Sequence, residues 1–155
     1  MTAPLSDRVI QKISEAASLY HRLVLLVAPA GGRKTSALQE VHERTRAPLV
    51  NVNLELSRRM LDLTQRQRAL QLPRLLSEVV DEGKNELILL DNMEMLFDVG
   101  LKQDPLRLLQ GLSRNKTVVA AWNGSLVNDQ LTYATPDHPE YGKYPVRDLL
   151  VVHPE

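Results

Sequence analysis

The stretch Leu23-Val24-Leu25-Leu26-Val27-Ala28-Pro29-Ala30-Gly31-Gly32-Arg33-Lys34-Thr35 decides how the rest of the chain is read. Its first five residues are all apolar, with no polar alternation. That pattern fits a short strand buried on both faces. The residues at 28–33 are mostly small and form a turn, and the spacing predicts a helix over 34–44. A strand that feeds a helix through glycines starts a βαβ unit, in which parallel strands are joined by right-handed crossovers.

The flanking sequence extends this pattern. Ser6 is placed to cap a first helix, with Val9, Ile10, Ile13, Ala16, Ala17 and Tyr20 at three-to-four spacing. Pro48 opens a second strand over 49–53. A long helical stretch over about 56–81 is interrupted at Pro73, which predicts two helices or a kink there. Gly83 closes it. Residues 86–91 form a third apolar strand that ends in Asp91. Pro105 starts a helix that ends near 111–113, and 117–122 form a fourth strand. Residues 124–147, rich in Pro, Tyr, Asp and His, read as a long excursion before a last strand over 149–152. Helices alternating with strands predict an α/β fold with a three-layer parallel sheet. Ligands of such sheets bind beyond the carboxyl ends of the strands. Lys34, Asp91 and Asn123 each follow an apolar strand.

Composition bounds the function. The chain has 155 residues, which suits a single domain over 1–155. Nineteen basic residues balance nineteen acidic ones, so any grip on nucleic acid has to come from a local patch. No cysteine is present, which excludes thiolate metal or redox chemistry. His21, His42, His138 and His153 have no metal-ligand spacing on one helix face. No apolar run approaches the roughly 18 residues of a membrane helix, and the first residues lack signal-peptide character. A cytoplasmic protein is expected.

The 28–35 segment resembles the phosphate-binding loop G-x-x-x-x-G-K-[ST] (Walker A). Gly31 and Gly32 let the backbone curl so that N–H groups face phosphate oxygens. The helix start brings Arg33, Lys34, Thr35 and Ser36 to the same anion. Lys34 reaches the terminal phosphates and the Thr35 hydroxyl holds Mg²⁺. Two positions depart from the pattern, with Ala28 and Arg33 standing where glycines belong. Arg33 either turns outward, adds a cation or weakens binding. A Gly-Gly turn into a basic helix start is the structural alternative.

Asp91 sits where a Walker B acid fixes the metal. Asn92 follows it, and an amide can orient water but not take its proton. Glu94 is the next carboxylate and the candidate base. Helix capping by Asp91 is the alternative. Asn123 resembles the polar residue that senses the terminal phosphate in AAA+-type and related ATPases, with an Asn123-Gly124 turn as the alternative. Arg147, before the last strand, is the candidate arginine finger for a neighbouring subunit. Arg114 is a less natural one. Trp122 is expected in the core. Arg58, Arg59, Arg66 and Arg68 crowd one helical stretch beside a stripe of Leu56, Met60, Leu63 and Leu70. Arg59, Asp62 and Arg66 lie together there, and either an ion-paired face or a protein or DNA surface follows.

Taken together, the 28–35 loop, Leu90-Asp91-Asn92 with Glu94, 104–114 and Trp122-Asn123-Gly124 resemble the BrxF-like small P-loop proteins of bacterial phage-exclusion (BREX) systems. The resemblance spans about 6–152. It implies an AAA+-like P-loop NTPase core without a C-terminal helical lid, binding ATP and Mg²⁺. It also implies a role in anti-phage defence beside a larger ATPase, a methyltransferase and a phosphatase-like protein. With no lid before Glu155, a homo-oligomer neighbour or a partner is expected to cover the nucleotide. The alternative is a catalytically degenerate P-loop adaptor that binds partner proteins or DNA. A small-molecule kinase fits less well, since no arginine-bearing lid follows the fourth strand.

Overall fold

The computed structural model describes residues 4–29, 31, 33–134, 136–146 and 149–154. The elements run α1 (Leu5–Ala16), β1 (Leu23–Ala28), α2 (Arg33–Thr45), β2 (Leu49–Asn51), α3 (Val52–Arg59), α4 (Gln65–Asp81) and β3 (Leu87–Asp91). Two 3₁₀ turns (Glu94–Phe97 and Val99–Leu101) lead to α5 (Pro105–Leu112), β4 (Thr117–Val127), β5 (Gln130–Tyr133), β6 (Gly142–Pro145) and β7 (Leu150–Val152). The fold is α/β with a mostly parallel central sheet. No described helix is long and apolar enough to cross a membrane.

Five strands lie in the order β2-β3-β4-β1-β7, all parallel. β1 and β4 are at the centre, which is why every residue of β1 is buried. Alternate strand residues serve the two faces. Val24, Leu26, Leu89, Val119 and Ala121 meet Val9 and Ala16 of α1 and Ala37, Leu38 and Val41 of α2. Leu23, Leu25, Ile88, Leu90, Val118 and Trp122 meet Leu56 of α3, Leu72 and Leu76 of α4, and Leu109 of α5. β1 and β4 match with Ala28 opposite Asn123, β2 and β3 match with Asn51 opposite Asp91, and the second pair stands two residues before the first. The residues at the carboxyl edge therefore come together.

Four expectations are corrected. Ser6 does not cap α1, because the helix begins at Leu5 after Pro4. The buried Ser6 hydroxyl donates instead to Glu40 of α2 at 2.6 Å. The second strand stops at Asn51, because the Asn51 side chain accepts from the Leu54 N–H and starts α3 at once. The long helical stretch breaks at 60–64, not at Pro73. Thr64 caps α4 with a full capping box, its hydroxyl accepting from Gln67 N–H while the Gln67 side chain accepts from Thr64 N–H. Pro73 lies exposed inside an unbroken α4. Its missing N–H leaves the Ala69 carbonyl open four residues back. The Gln103 side chain donates to that carbonyl at 2.8 Å.

The fourth correction bears on the site. Asn123-Gly124 is not a turn, and the expected excursion carries strands at 124–127, 130–133 and 142–145. β4 runs straight through both residues to Val127 and pairs antiparallel with β5, which pairs with β6. Asn128 and Asp129, both at positive φ, make the hairpin turn. The hairpin is seated by aromatic rings. Phe97 stacks on Tyr133 with centroids 3.5 Å apart, and Trp122 meets Phe97 and Tyr144 edge-on. The Trp122 indole N–H donates to the Thr132 carbonyl at 3.0 Å. Gly124 is required here, since a Cβ on it would stand 1.7 Å from the Thr132 carbonyl oxygen.

Two outcomes follow. Gly124→Ala forces β4 and β5 apart and should cost about 2 kcal/mol or more in urea unfolding. Burial pushes the Tyr133 phenol up to about 12, above its ordinary 10. The folded state then holds a proton that the unfolded state releases, so stability should fall as pH rises from 10 to 12. The loss is of order 2–3 kcal/mol and should shrink in Tyr133→Phe, read by urea midpoints across that range.

Candidate functional site

Lys34 is in the first turn of α2 and only 3% exposed, because its stem runs back under the loop that precedes it. Its ammonium donates to the carbonyl oxygens of Ala28 at 3.0 Å and Pro29 at 2.6 Å. Burial pushes the ammonium below the ordinary lysine range, and the Asp91 and Glu94 carboxylates pull it partly back. Thr35, one residue on, donates its hydroxyl to Asp91 Oδ2 at 2.7 Å. This bond ties the start of α2 to the end of β3. Asp91 is 7% exposed, and its Oδ1 accepts from the Asn92 backbone N–H at 2.9 Å. Asp91 is thus not a helix cap.

Asn92 takes a left-handed backbone conformation, φ 51°, which asparagine tolerates better than most residues. Its side chain is exposed, and its carbonyl accepts from Asn53 N–H at 2.7 Å. The left-handed residue turns the chain off β3 and brings Glu94 to the edge at the start of a 3₁₀ turn. Both Glu94 oxygens are engaged by amides. Asn123 Nδ2 donates to Oε1 at 3.0 Å and Asn53 Nδ2 donates to Oε2 at 2.7 Å. The Asn53 carbonyl oxygen accepts in turn from Met95 N–H at 2.9 Å.

The structure therefore brings together Lys34, Thr35, Asp91, Glu94 and Asn123 from three separate strand ends. Asn53 belongs with them and escaped the sequence reading, because a strand was expected to continue through it. The signal was present in Asn51, a capping residue with an apolar helix pattern after it. Gly31 lies at the loop with φ 153°. Arg33 and Ser36 are exposed on the first turn of α2. Gly32 and Arg147 lie outside the described residues.

The arginine stretch does not form one face. Arg59 ends α3 and Arg66 begins α4, with a turn between them. Leu70 of the expected apolar stripe is 72% exposed. Arg58 and Arg59 pair with Glu55 at 3.2 and 2.8 Å, and Arg59 reaches Glu82 at 3.1 Å. Arg68 donates to the Leu63 carbonyl. Arg66 is exposed, and no Asp62–Arg66 pair forms among the described residues. Arg114 lies at the opposite end of the sheet, where its guanidinium sits over the Tyr20 ring at 5.1 Å.

No family model, curated protein or solved structure matches this chain.

The two amides that grip Glu94 give a direct test. Asn53→Ala removes a donor from Glu94 and an acceptor from Met95 N–H, and should cost about 1–3 kcal/mol in urea unfolding. Combined with Glu94→Gln it should be non-additive by about 0.5–1.5 kcal/mol in a double-mutant cycle.

Proposed function

We propose that the chain binds a Mg²⁺–nucleoside triphosphate, ATP being the first candidate, at the carboxyl edge of the sheet. In this reading it acts as an ATPase or nucleotide switch. The observation that carries this is the 2.7 Å bond between Thr35 and the buried Asp91. A hydroxyl and a carboxylate far apart in sequence meet beside a buried lysine, at the head of a helix. That donor set suits a hard divalent cation and the oxygens of a phosphate chain. The strand order supports the same reading. β4 lies between the loop strand β1 and the acid strand β3, so Asn123 stands between Lys34 and Glu94 in the sheet.

Each residue then has a task. Thr35 and Asp91 would hold Mg²⁺, which when bound neutralises phosphate charge. Lys34 would exchange the Ala28 and Pro29 carbonyls for phosphate oxygens, which lets the loop open around the anion. Gly31 and Gly32 would supply backbone freedom and N–H groups there, with Ser36 in the same turn. Glu94 would take a proton from water at one of its carboxylate oxygens. Asn53 and Asn123 hold that carboxylate in place, and Asn123 adds a donor toward the terminal phosphate. The Asn92 side chain, turned outward, has no part in this, while its backbone turn places Glu94.

The wider assignment rests on the resemblance to BrxF-like proteins: a cytoplasmic component of a BREX anti-phage assembly. Its partners would be a larger ATPase, a methyltransferase and a phosphatase-like protein, or a second copy offering Arg147. The adaptor reading, in which the P-loop scaffold binds nucleotide or partners without turnover, is favoured by one observation. Both Glu94 oxygens are already occupied by amides. DNA contact through Arg58, Arg59, Arg66 and Arg68 gains little support, because Arg58 and Arg59 are ion-paired to Glu55.

Calorimetry with Mg²⁺–ATP should show binding to the wild-type chain and none to Lys34→Ala. Absence of binding at millimolar nucleotide, with the proposed partners present, would overturn the assignment. Where turnover occurs, Glu94→Gln should retain binding and lower phosphate release by about 10²–10⁴-fold. Binding without phosphate release in any assembly would leave the adaptor reading in its place.

A further inference from the structure

We propose that Arg33 serves the nucleoside end of the site: the cavity it lines takes the base and ribose of the nucleotide whose phosphates the loop holds. The proposal rests on the nucleotide-binding reading above.

Arg33 and Lys34 are neighbours on α2, so their side chains leave the helix about 100° apart. Lys34 runs under the loop and is buried. Arg33 is exposed and joins no hydrogen bond or ion pair among the described residues. It lines a cavity of about 490 Å³ whose other walls include Val27, Pro29, Leu126, His153 and Pro154. That volume falls in the ~300–1,000 Å³ range of small-molecule sites. The cavity adjoins the loop directly. Ala28 and Pro29, whose carbonyls hold the Lys34 ammonium, also line it. It therefore shares the loop backbone that holds the lysine.

The lining chemistry selects the occupant. Aliphatic and proline faces, glycine backbone, the Ser125 hydroxyl, one imidazole and one guanidinium suit a flat, uncharged, π-faced ring with polar edges. A guanidinium stacks on such a face. A second phosphate would need several converging donors, and this wall offers one cation. The wall is also braced, since the His153 carbonyl accepts from the Arg8 guanidinium of α1 at 2.8 Å. Two further cavities are each about 430 Å³: one on the Asn123 side with Tyr133 and His138 has no arginine or lysine in its lining, and the other, which Arg33 also borders, is lined by Ser6, Ser36 and the Glu40 carboxylate rather than by the loop. The glycine-to-arginine departure in the loop thus gives up backbone compactness at the phosphates and adds a contact to the nucleoside.

The test separates the two ends of the ligand. Calorimetry would compare Mg²⁺–ATP with Mg²⁺–tripolyphosphate on wild type, Arg33→Ala, Leu126→Trp and Lys34→Ala. Arg33→Ala should weaken ATP about tenfold, the order of a desolvated cation–π contact, and leave tripolyphosphate within about twofold. Leu126→Trp, which fills the cavity, should show the same selectivity, and Lys34→Ala should lose both ligands. Equal weakening of both ligands by Arg33→Ala, or no weakening of either, would overturn the proposal and leave the nucleotide-binding reading standing. A wild-type chain that binds neither ligand, with the proposed partners present, overturns both. Arg33 is exposed, so its alanine variant should keep the wild-type melting curve, and the test does not depend on Leu126→Trp folding.

Discussion

An ammonium group withdrawn from water has to be compensated where it is buried. Lys34 meets that requirement with two carbonyl oxygens of its own loop and with the fields of Asp91 and Glu94. All of these lie at one edge of the sheet. The rest of the arrangement depends on this. Helices cover both faces, so the strands carry almost nothing but apolar side chains, and polar chemistry is confined to the strand ends. The registers then bring loop, acid and asparagine to the same edge, with Asp91 two residues short of the level of Ala28 and Asn123. Because β4 lies between β1 and β3, an amide rather than a second acid separates the lysine from the glutamate.

Glu94 shows how local backbone geometry serves that edge. A left-handed asparagine redirects the chain off β3, and a 3₁₀ turn presents the carboxylate. Asn53 comes from the β2 side of β3 and Asn123 from the β4 side. The carboxylate is therefore held from both flanks, with each amide positioned by an element that the sheet already fixes. A carboxylate gripped in this way keeps its rotamer without help from a ligand.

Much of this was legible in the sequence, for identifiable reasons. β1, residues 87–90 and residues 118–122 are apolar runs whose reading needs no periodicity, and Lys34, Thr35, Asp91, Glu94 and Asn123 follow them. What failed was the reading of segments in which two signals competed. Leu56, Met60, Leu63 and Leu70 imitate one helical stripe across what are two helices, and Pro73 drew the break away from the Thr64 capping box. The Pro73 position is tolerated only because Gln103, distant in sequence, reaches the Ala69 carbonyl. Asn123-Gly124 imitates a turn. Gly124 is instead small because Thr132 crosses it closely, a contact no local pattern reveals. Asn53 carries no motif and becomes visible only when α3 is seen to start at Val52.

The sheet order also sets the sequence of events during synthesis. β1 emerges from the ribosome before the other strands of this sheet, yet its two neighbours, β4 and β7, lie far downstream of it. Leu23 must wait for Val118, and Val24 for Leu150. Until then a wholly apolar strand has no partner on either edge, and closing such distant pairs is slow. The nascent chain is thus most exposed to aggregation at the segment that leads into the loop, and that loop acquires its final shape only once β4 and β7 have been made.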